Sequence, residues 1–292
     1  MTFFRKRSAN PVHQATRANL LRSARFEVIP LKNLEAQLEY LPEGASVSVT
    51  ASPAKTLEDT WTLSQTLADQ GFTPVPHLAA RMVTSEKQLR QLVSQLADIG
   101  VSEVFIVGGD APDPFGPFLD SIQVLDSILE LDHGLSHIGV TAYPDGHSFI
   151  SEGALSAALH AKQEMLASAG VSSHASTQMC FDPGAISAWL QREREMGLTI
   201  PIHLGIPGAV DRAKLLSIGA RLGVGASLRF LRKNRSTVTR LFSPGGYDPN
   251  KLLAPLSSVL EPLGISGLHI FTFNQIEKTE AWRRSTLDIG NK

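Results

Sequence analysis

Glu103-Val-Phe-Ile-Val-Gly-Gly-Asp110 is a short β-rich apolar run that stops at two glycines and a carboxylate. Polar helical patterns flank it, so it reads as a parallel strand buried on both faces. The glycines allow a sharp turn and a close approach of ligand to backbone. Asp110 then stands at the C-terminal end of the strand, where an eight-stranded α/β barrel carries its chemistry. Taken alone, Gly-Gly-Asp is equally readable as a plain strand-to-loop turn. The surrounding chain decides between the two.

Outward from this stretch, strand-like and helix-like segments alternate with short connections, which argues for βα units and a parallel sheet. Upstream, strands over Arg25–Pro30, Ser46–Ala51 and Thr73–Ala80 precede helices over Asn33–Leu41, Thr56–Gln70 and Ser85–Ile99. The last helix has amphipathic spacing through Leu89, Leu92, Leu96 and Ile99. Downstream, a helix over Phe118–Leu131 leads to a fifth strand at His137–Pro144 and a helix at Glu152–Ala169, closed by Gly170. His174–Phe181 and Pro201–Pro207 read as the sixth and seventh strands, with helices over Gly184–Met196 and Asp211–Leu222. Ala226–Gly264 is longer and is expected to hold two helices around Ser243-Pro-Gly-Gly. An eighth strand at Leu268–Asn274 and a helix at Gln275–Leu287 complete the series. Eight units without an internal linker predict a (β/α)8 TIM barrel, an α/β fold, as a single domain over residues 25–292. No GxGxxG follows the first strand, so a Rossmann arrangement loses ground.

The 292 residues are 42% hydrophobic and 19% charged with net charge −1, enough for a sizeable core and without an electrostatic case for nucleic acid. Cys180 is the sole cysteine, which excludes an intramolecular disulfide and fits a reducing, cytoplasmic setting. No apolar run approaches the roughly 20 residues that span a bilayer. Before Glu27 the chain is basic and acid-free (Arg5, Lys6, Arg7, Arg17, Arg22, Arg25), but it lacks a signal-type apolar core and Pro11 interrupts it. Residues 1–24 are therefore expected to form an N-terminal arm.

Polar residues gather at the expected strand ends: Glu27, Thr50, His77, Asp110, Tyr143 with His147, Gln178, Thr272 and Asn274. Glu27, inside Phe26-Glu-Val-Ile, faces either the barrel interior or the helix layer, and an unpaired charge is costly in both. A functional carboxylate and a structural ion pair are both open for it. His77 alone reads as a hydrogen-bonded core histidine. Together at one barrel face, these side chains suit a large ligand with many polar edges. His133, His137, His147, His160 and His174 show no HxxxH or CxxC spacing, so no metal site is expected. A GxSxG elbow and a P-loop are both absent from the sequence.

The chain resembles the catalytic barrel of the methylenetetrahydrofolate reductase family. The matching pieces run in family order from about Arg25 to Leu287: Phe26-Glu27 with Pro30, Val47-Ser-Val-Thr50, Pro76-His-Leu78, Gly109-Asp110 with Pro112, Ala142-Tyr-Pro-Asp-Gly-His147, Thr177-Gln178 with Phe181-Asp182, Pro201 with Gly205-Ile206, and Leu268-His-Ile-Phe-Thr-Phe-Asn274. The resemblance implies an FAD-dependent oxidoreductase of one-carbon metabolism and methionine biosynthesis, interconverting 5,10-methylene- and 5-methyltetrahydrofolate. A flavin-free folate-binding barrel that transfers methyl groups is the alternative. It further implies that Glu27 and Asp110 are catalytic, Glu27 as the acid acting on the folate. Thr50, His77, Gly109, Asp110, Ala142, Tyr143, His147 and Lys162 would hold FAD. Glu27, Asp110, Gln178 and Phe273 would hold the folate. NADH or NADPH is the implied electron donor, and a homo-oligomer is compatible. The chain departs from the family at Gly108, where a larger polar residue is usual, and at Gln275, where Arg is usual. Leu166 stands in place of a lysine, with Lys162 one turn earlier. These changes bear on phosphate and nicotinamide contacts more than on folate chemistry. Ring opening of methylenetetrahydrofolate needs a proton donor, and partial burial of Glu27 among Phe26, Val28 and Ile29 is expected to raise its pKa for that role.

Overall fold

The computed structural model describes residues 11–52, 55–211, 213, 215, 242–243 and 246–290. Period-two alternation within each strand sends its apolar side chains outward, where amphipathic helices cover them. The strands are β1 (Arg25–Val28), β2 (Ser46–Val49), β3 (Thr73–Ala79), β4 (Glu103–Val107), β5 (His137–Ala142), β6 (Ser172–Thr177), β7 (Ile202–Pro207) and β10 (Ile265–Phe271). They close in the order β1-β10-β7-β6-β5-β4-β3-β2, every pair parallel. This is the expected (β/α)8 barrel. Between β7 and β10 the described residues add a hairpin, β8 (Phe242–Ser243) with β9 (Gly246–Tyr247).

The helices begin where side chains can satisfy free backbone N–H groups. Ahead of α3 (Leu57–Asp69), Thr56 forms a capping box with Asp59. Ser85, Asp120 and Ser151 cap α4 (Glu86–Asp98), α5 (Ser121–Leu129) and α6 (Glu152–Ser168). Asp182 caps α7 (Pro183–Glu195), and Pro183 sits in its first turn. The short α2 (Glu35–Leu38) follows β1, α8 (Asn250–Leu256) precedes β10, and α9 (Ile276–Gly290) closes the ring.

Several boundaries differ from the sequence reading. β6 spans Ser172–Thr177 rather than His174–Phe181, because Met179 and Phe181 pack in a separate apolar cluster beyond the strand. β10 starts at Ile265 and ends at Phe271, and Phe273 and Asn274 turn away with φ 50° and 56°. Pro11 does not interrupt structure; it starts α1 (Pro11–Arg22), since a first-turn proline loses no helical hydrogen bond. That helix buries Leu20 and Leu21, and Arg283 of α9 donates to the Leu21 carbonyl. The expected helix over 211–222, and the first of the two expected in 226–264, lie mostly outside the described residues.

Outward-facing Phe26, Val28, Val47, Val49, Val104, Ile106, Ile138, Val140, Ile202, Leu204, Leu268 and Ile270 pack against the helices. The barrel interior is different in kind.

Candidate functional site

Inside the barrel most inward positions are polar or aromatic: Arg25 and Glu27, Ser48, His77, Phe105, His174 and Ser176, His203 and His269, with Val75 an apolar exception. Gly139 makes room for them. A Cβ there would lie 2.5 Å from Phe105 Cδ2 and 2.6 Å from His174 Cε1, so only glycine fits.

Toward the strands' C-terminal ends, Glu27 Oε2 lies 2.7 Å from His269 Nε2 and 3.8 Å from His77 Nε2. Ser48 Oγ meets the same His77 nitrogen at 2.7 Å. Thr272 Oγ1 donates to the Glu27 carbonyl, and Asn274 exchanges both its amide hydrogen bonds with the backbone of Ile29. The end of β1 is thus fastened to the turn after β10, and Glu27 is held with it. The interior location answers which way Glu27 faces.

Its protonation differs from the expectation. Burial pushes the Glu27 carboxyl up, but the His269 hydrogen bond and charge, with the charge of His77, outweigh it, and the pKa falls below the ordinary value. The raised pKa read from sequence is therefore corrected: its neighbours at 28 and 29 are apolar, yet its partners are imidazoles from other strands. Burial lowers His77 to about 4, against the opposing pull of Glu27, so His77 is a neutral imidazole near pH 7. Glu27 Oε2 and His269 Nε2, 2.7 Å apart, are joined by one hydrogen bond.

A second polar cluster occupies the floor of the barrel. Arg25 pairs with Glu103 at 2.7 Å and donates to His174 Nε2 at 3.3 Å. Guanidinium only donates, so His174 Nε2 accepts and its Nδ1–H points to His137 Nε2, 2.7 Å away. His137 Nδ1 then faces Ser172 Oγ at 3.0 Å. His203 stacks on His174 with ring centroids 3.9 Å apart. Burial first, then Arg25 and neighbouring histidines, hold His203 at about 3 and His174 well below its usual range.

Both clusters, Glu27–His77–His269 and Glu103–His137–His174, bring donor atoms within 4.8 Å of one another, a set that suits a divalent transition metal. In the second, Arg25 already neutralises the carboxylate. Sequence spacing could not register either cluster, because each ligand comes from a different strand.

At the mouth, Gly109 adopts φ 92° with its Cβ position 3.1 Å from Ala79 Cβ, and the next residue, Asp110, is exposed. Burial raises the Tyr143 phenol, a Thr141 hydrogen bond opposes this, and the Asp110 charge adds to the rise. Tyr143 and His147 meet edge to face at 5.5 Å. Thr50 Oγ1 is buried without a partner in hydrogen-bonding geometry, although it lies near enough to Glu27 to help hold that carboxyl down. Gln178 lies just past β6; its N–H donates to the Ala142 carbonyl and its Oε1 accepts from Met179 N–H.

The structure therefore joins Glu27 with His77 and Tyr143 with His147, and the charge of Asp110 is felt at Tyr143. It puts Lys162 in the helix layer, 3% exposed, where burial lowers its ammonium to about 8 against the pull of Asp120. Phe273 is buried and stacks near Phe271 in the apolar cluster beyond β6. Sequence reading missed His269, Ser48, Arg25, Glu103 and His203. The signal available was their alternation with apolar residues inside strands.

A family model described as methylenetetrahydrofolate reductase matches residues 30–220. That span includes Thr50, His77, Asp110, Tyr143, His147, Lys162 and Gln178, whereas Glu27 and His269 fall outside it. Among solved structures, an uncharacterized protein from Clostridium thermocellum that binds two copies of 5-methyl-5,6,7,8-tetrahydrofolic acid aligns with TM-score 0.61 and 15% identity, over 94% of this chain and 99% of that one. Oxaloacetate acetylhydrolase in complex with oxalate aligns with TM-score 0.50 and 11% identity, over 96% and 87%. At such identities the likeness shows the barrel fold.

Proposed function

The chain belongs to the methylenetetrahydrofolate reductase family, and from that premise we propose that it interconverts 5,10-methylene- and 5-methyltetrahydrofolate at the C-terminal mouth of the barrel. The observation that carries this reading is Glu27, set in the barrel interior with His269 at 2.7 Å and His77 at 3.8 Å. Opening the methylene bridge leaves an amine that must be protonated as the iminium forms. In its protonated form the Glu27–His269 pair would give that amine a proton and be left as carboxylate and neutral imidazole. His77, neutral and tied to Ser48, keeps the carboxylate oriented without competing for it. Asp110, at the mouth, sets a carboxylate beside the cation that develops. In the reverse direction the pair takes the proton back.

The family reading brings FAD with it, and polar groups at the mouth support a flavin there. Thr50 has an unsatisfied hydroxyl, and Tyr143 and His147 offer polar edges. The space a Cβ on Gly108 would enter is open to 4 Å. Lys162 is a buried ammonium to which a phosphate would return a counter-charge. Bound FAD would supply the hydride chemistry. Thr50, Tyr143 and His147 would hold the ring end and Lys162 the phosphates. Gln275, where the family carries Arg, is engaged in both directions with Asp211.

Heat release of FAD from the purified protein, with 5-methyltetrahydrofolate formed from the methylene form, is the expected result. A colourless protein that transfers the methyl group of 5-methyltetrahydrofolate would overturn it in favour of the flavin-free methyltransferase. Replacing both Tyr143 and His147 by Ala leaves the Glu27 cluster intact and is expected to loosen flavin at least tenfold, about the loss of one charge-assisted or two neutral contacts. Equal retention in ultrafiltration of the variant and the parent would remove these two residues from the site.

A further inference from the structure

We propose that Arg81 is a positioning residue that fixes Asp110 at the mouth, an inference that rests on the role given to Asp110 above. Arg81 lies in the single 3₁₀ turn Ala80–Met82 that follows β3. Its guanidinium donates to three carbonyls of the neighbouring loop: Nε to Ala111 at 2.7 Å, Nη2 to Pro112 at 2.5 Å and Nη1 to Leu119 at 3.2 Å. Its own N–H donates to the Gly108 carbonyl, and its carbonyl accepts from Phe115 N–H. The loop from Gly108 to Leu119 is therefore clasped at five points by one residue of the preceding βα unit.

The clasp brackets Asp110 on both sides, at Gly108 before it and at Ala111 and Pro112 after it. Asp110 has no hydrogen bond to its own side chain among the described residues. Its position is set by backbone, and Arg81 supplies the tertiary bonds on that backbone. Gly109 lies inside the bracket with φ 92°, where an added Cβ would come 3.1 Å from Ala79 Cβ, so the turn before Asp110 needs glycine. Each of its three nitrogens donates to a loop carbonyl, which makes it a brace. Lysine cannot replace it, because a point ammonium lacks the planar fork that reaches three acceptors at once.

The test is a double-mutant cycle between Arg81→Ala and Asp110→Asn, with Arg81→Lys as a second variant. Arg81→Ala is expected to lower kcat for the folate step by about tenfold to 10²-fold, the size of effect that a misplacement near 1 Å produces, while KM for folate shifts by only a few-fold. In the Asp110→Asn background the same change should lower kcat hardly further, since two residues acting as a unit are not additive. Millimolar methylguanidinium should restore part of the rate to Arg81→Ala in the parent background alone. Equal losses in both backgrounds would mean that Arg81 acts through general stability, and the proposal falls. Amide hydrogen exchange over residues 108–119, measured without folate or flavin, should speed up in Arg81→Ala and in Arg81→Lys. Unchanged exchange overturns the clasp even if the chain turns over no folate, so failure here is distinguishable from failure of the proposed reaction.

Discussion

Glu27→Gln is expected to slow the folate half of the proposed reaction by at least about 10²-fold, the lower end of what general acid catalysis contributes. Gln keeps the size and some hydrogen bonding toward His269 but cannot act as the acid. Transfer of reducing equivalents from a nicotinamide moves no folate proton, so that half should change only a few-fold. His269→Gln should reproduce the selective loss, because it takes away the imidazole that contacts Glu27 at 2.7 Å. Rapid-mixing absorbance, taken separately for each half, reads the difference. Equal losses in both halves would show that Glu27 holds the site together without acting on the folate. No loss in either would move the chemistry to another carboxylate, with Asp110 next in line.

Acid should destabilise this barrel steeply, and well above the pH at which carboxylates titrate. His77 titrates at about 4 in the fold, against 6.5 when exposed. His203 is lower still at about 3, His174 well below its usual range, and burial also lowers His137. Between the two values the unfolded chain binds a proton that the folded chain refuses. Stability from this source is thus whole above 6.5, falls as pH drops, and stops falling near the folded value. Glu27 acts in the same direction, since a depressed carboxyl contributes stability that is lost as pH falls through its folded value. The groups facing His77 are Glu27, His269 and Arg25, and those facing His174 include Arg25, His137 and His203. With two such histidines the slope is about 2.7 kcal/mol per pH unit, large against a total stability of about 5–15 kcal/mol. Urea midpoints at about pH 5 and pH 7 give the slope directly. Coincident midpoints would show that the interior admits protons freely, and that the imidazoles are not held neutral.

Much of the fold could be read from local pattern. The run Glu103–Val107, the caps Thr56, Ser85, Asp120, Ser151 and Asp182, and the repeated βα spacing all act over a few residues. The misplaced end of β6 followed Met179-Cys180-Phe181, whose apolarity serves packing beyond the strand. The site was legible only in part. Glu27 stood out as a charge inside an apolar strand, but its pKa is set by His269, 242 positions away in the chain. Only the barrel's strand order, closing β10 against β1, brings them together. The direction of the Glu27 shift followed from that partner, and no inspection of its sequence neighbours supplies it.

The alternation of apolar residues outward and ionisable residues inward also separates two pressures that most proteins face together. In an ordinary core the residues that hold the fold are those that limit what it can become, since each change opens a void or forces an overlap. Here the cohesive shell lies between sheet and helices, and the lumen behaves as a bounded polar medium with its own acid–base chemistry. A change at an inward ionisable position alters the protonation of its neighbours as well as the packing. Substitution at such a position therefore acts first on the chemistry of the lumen and only second on the shell that holds the barrel together.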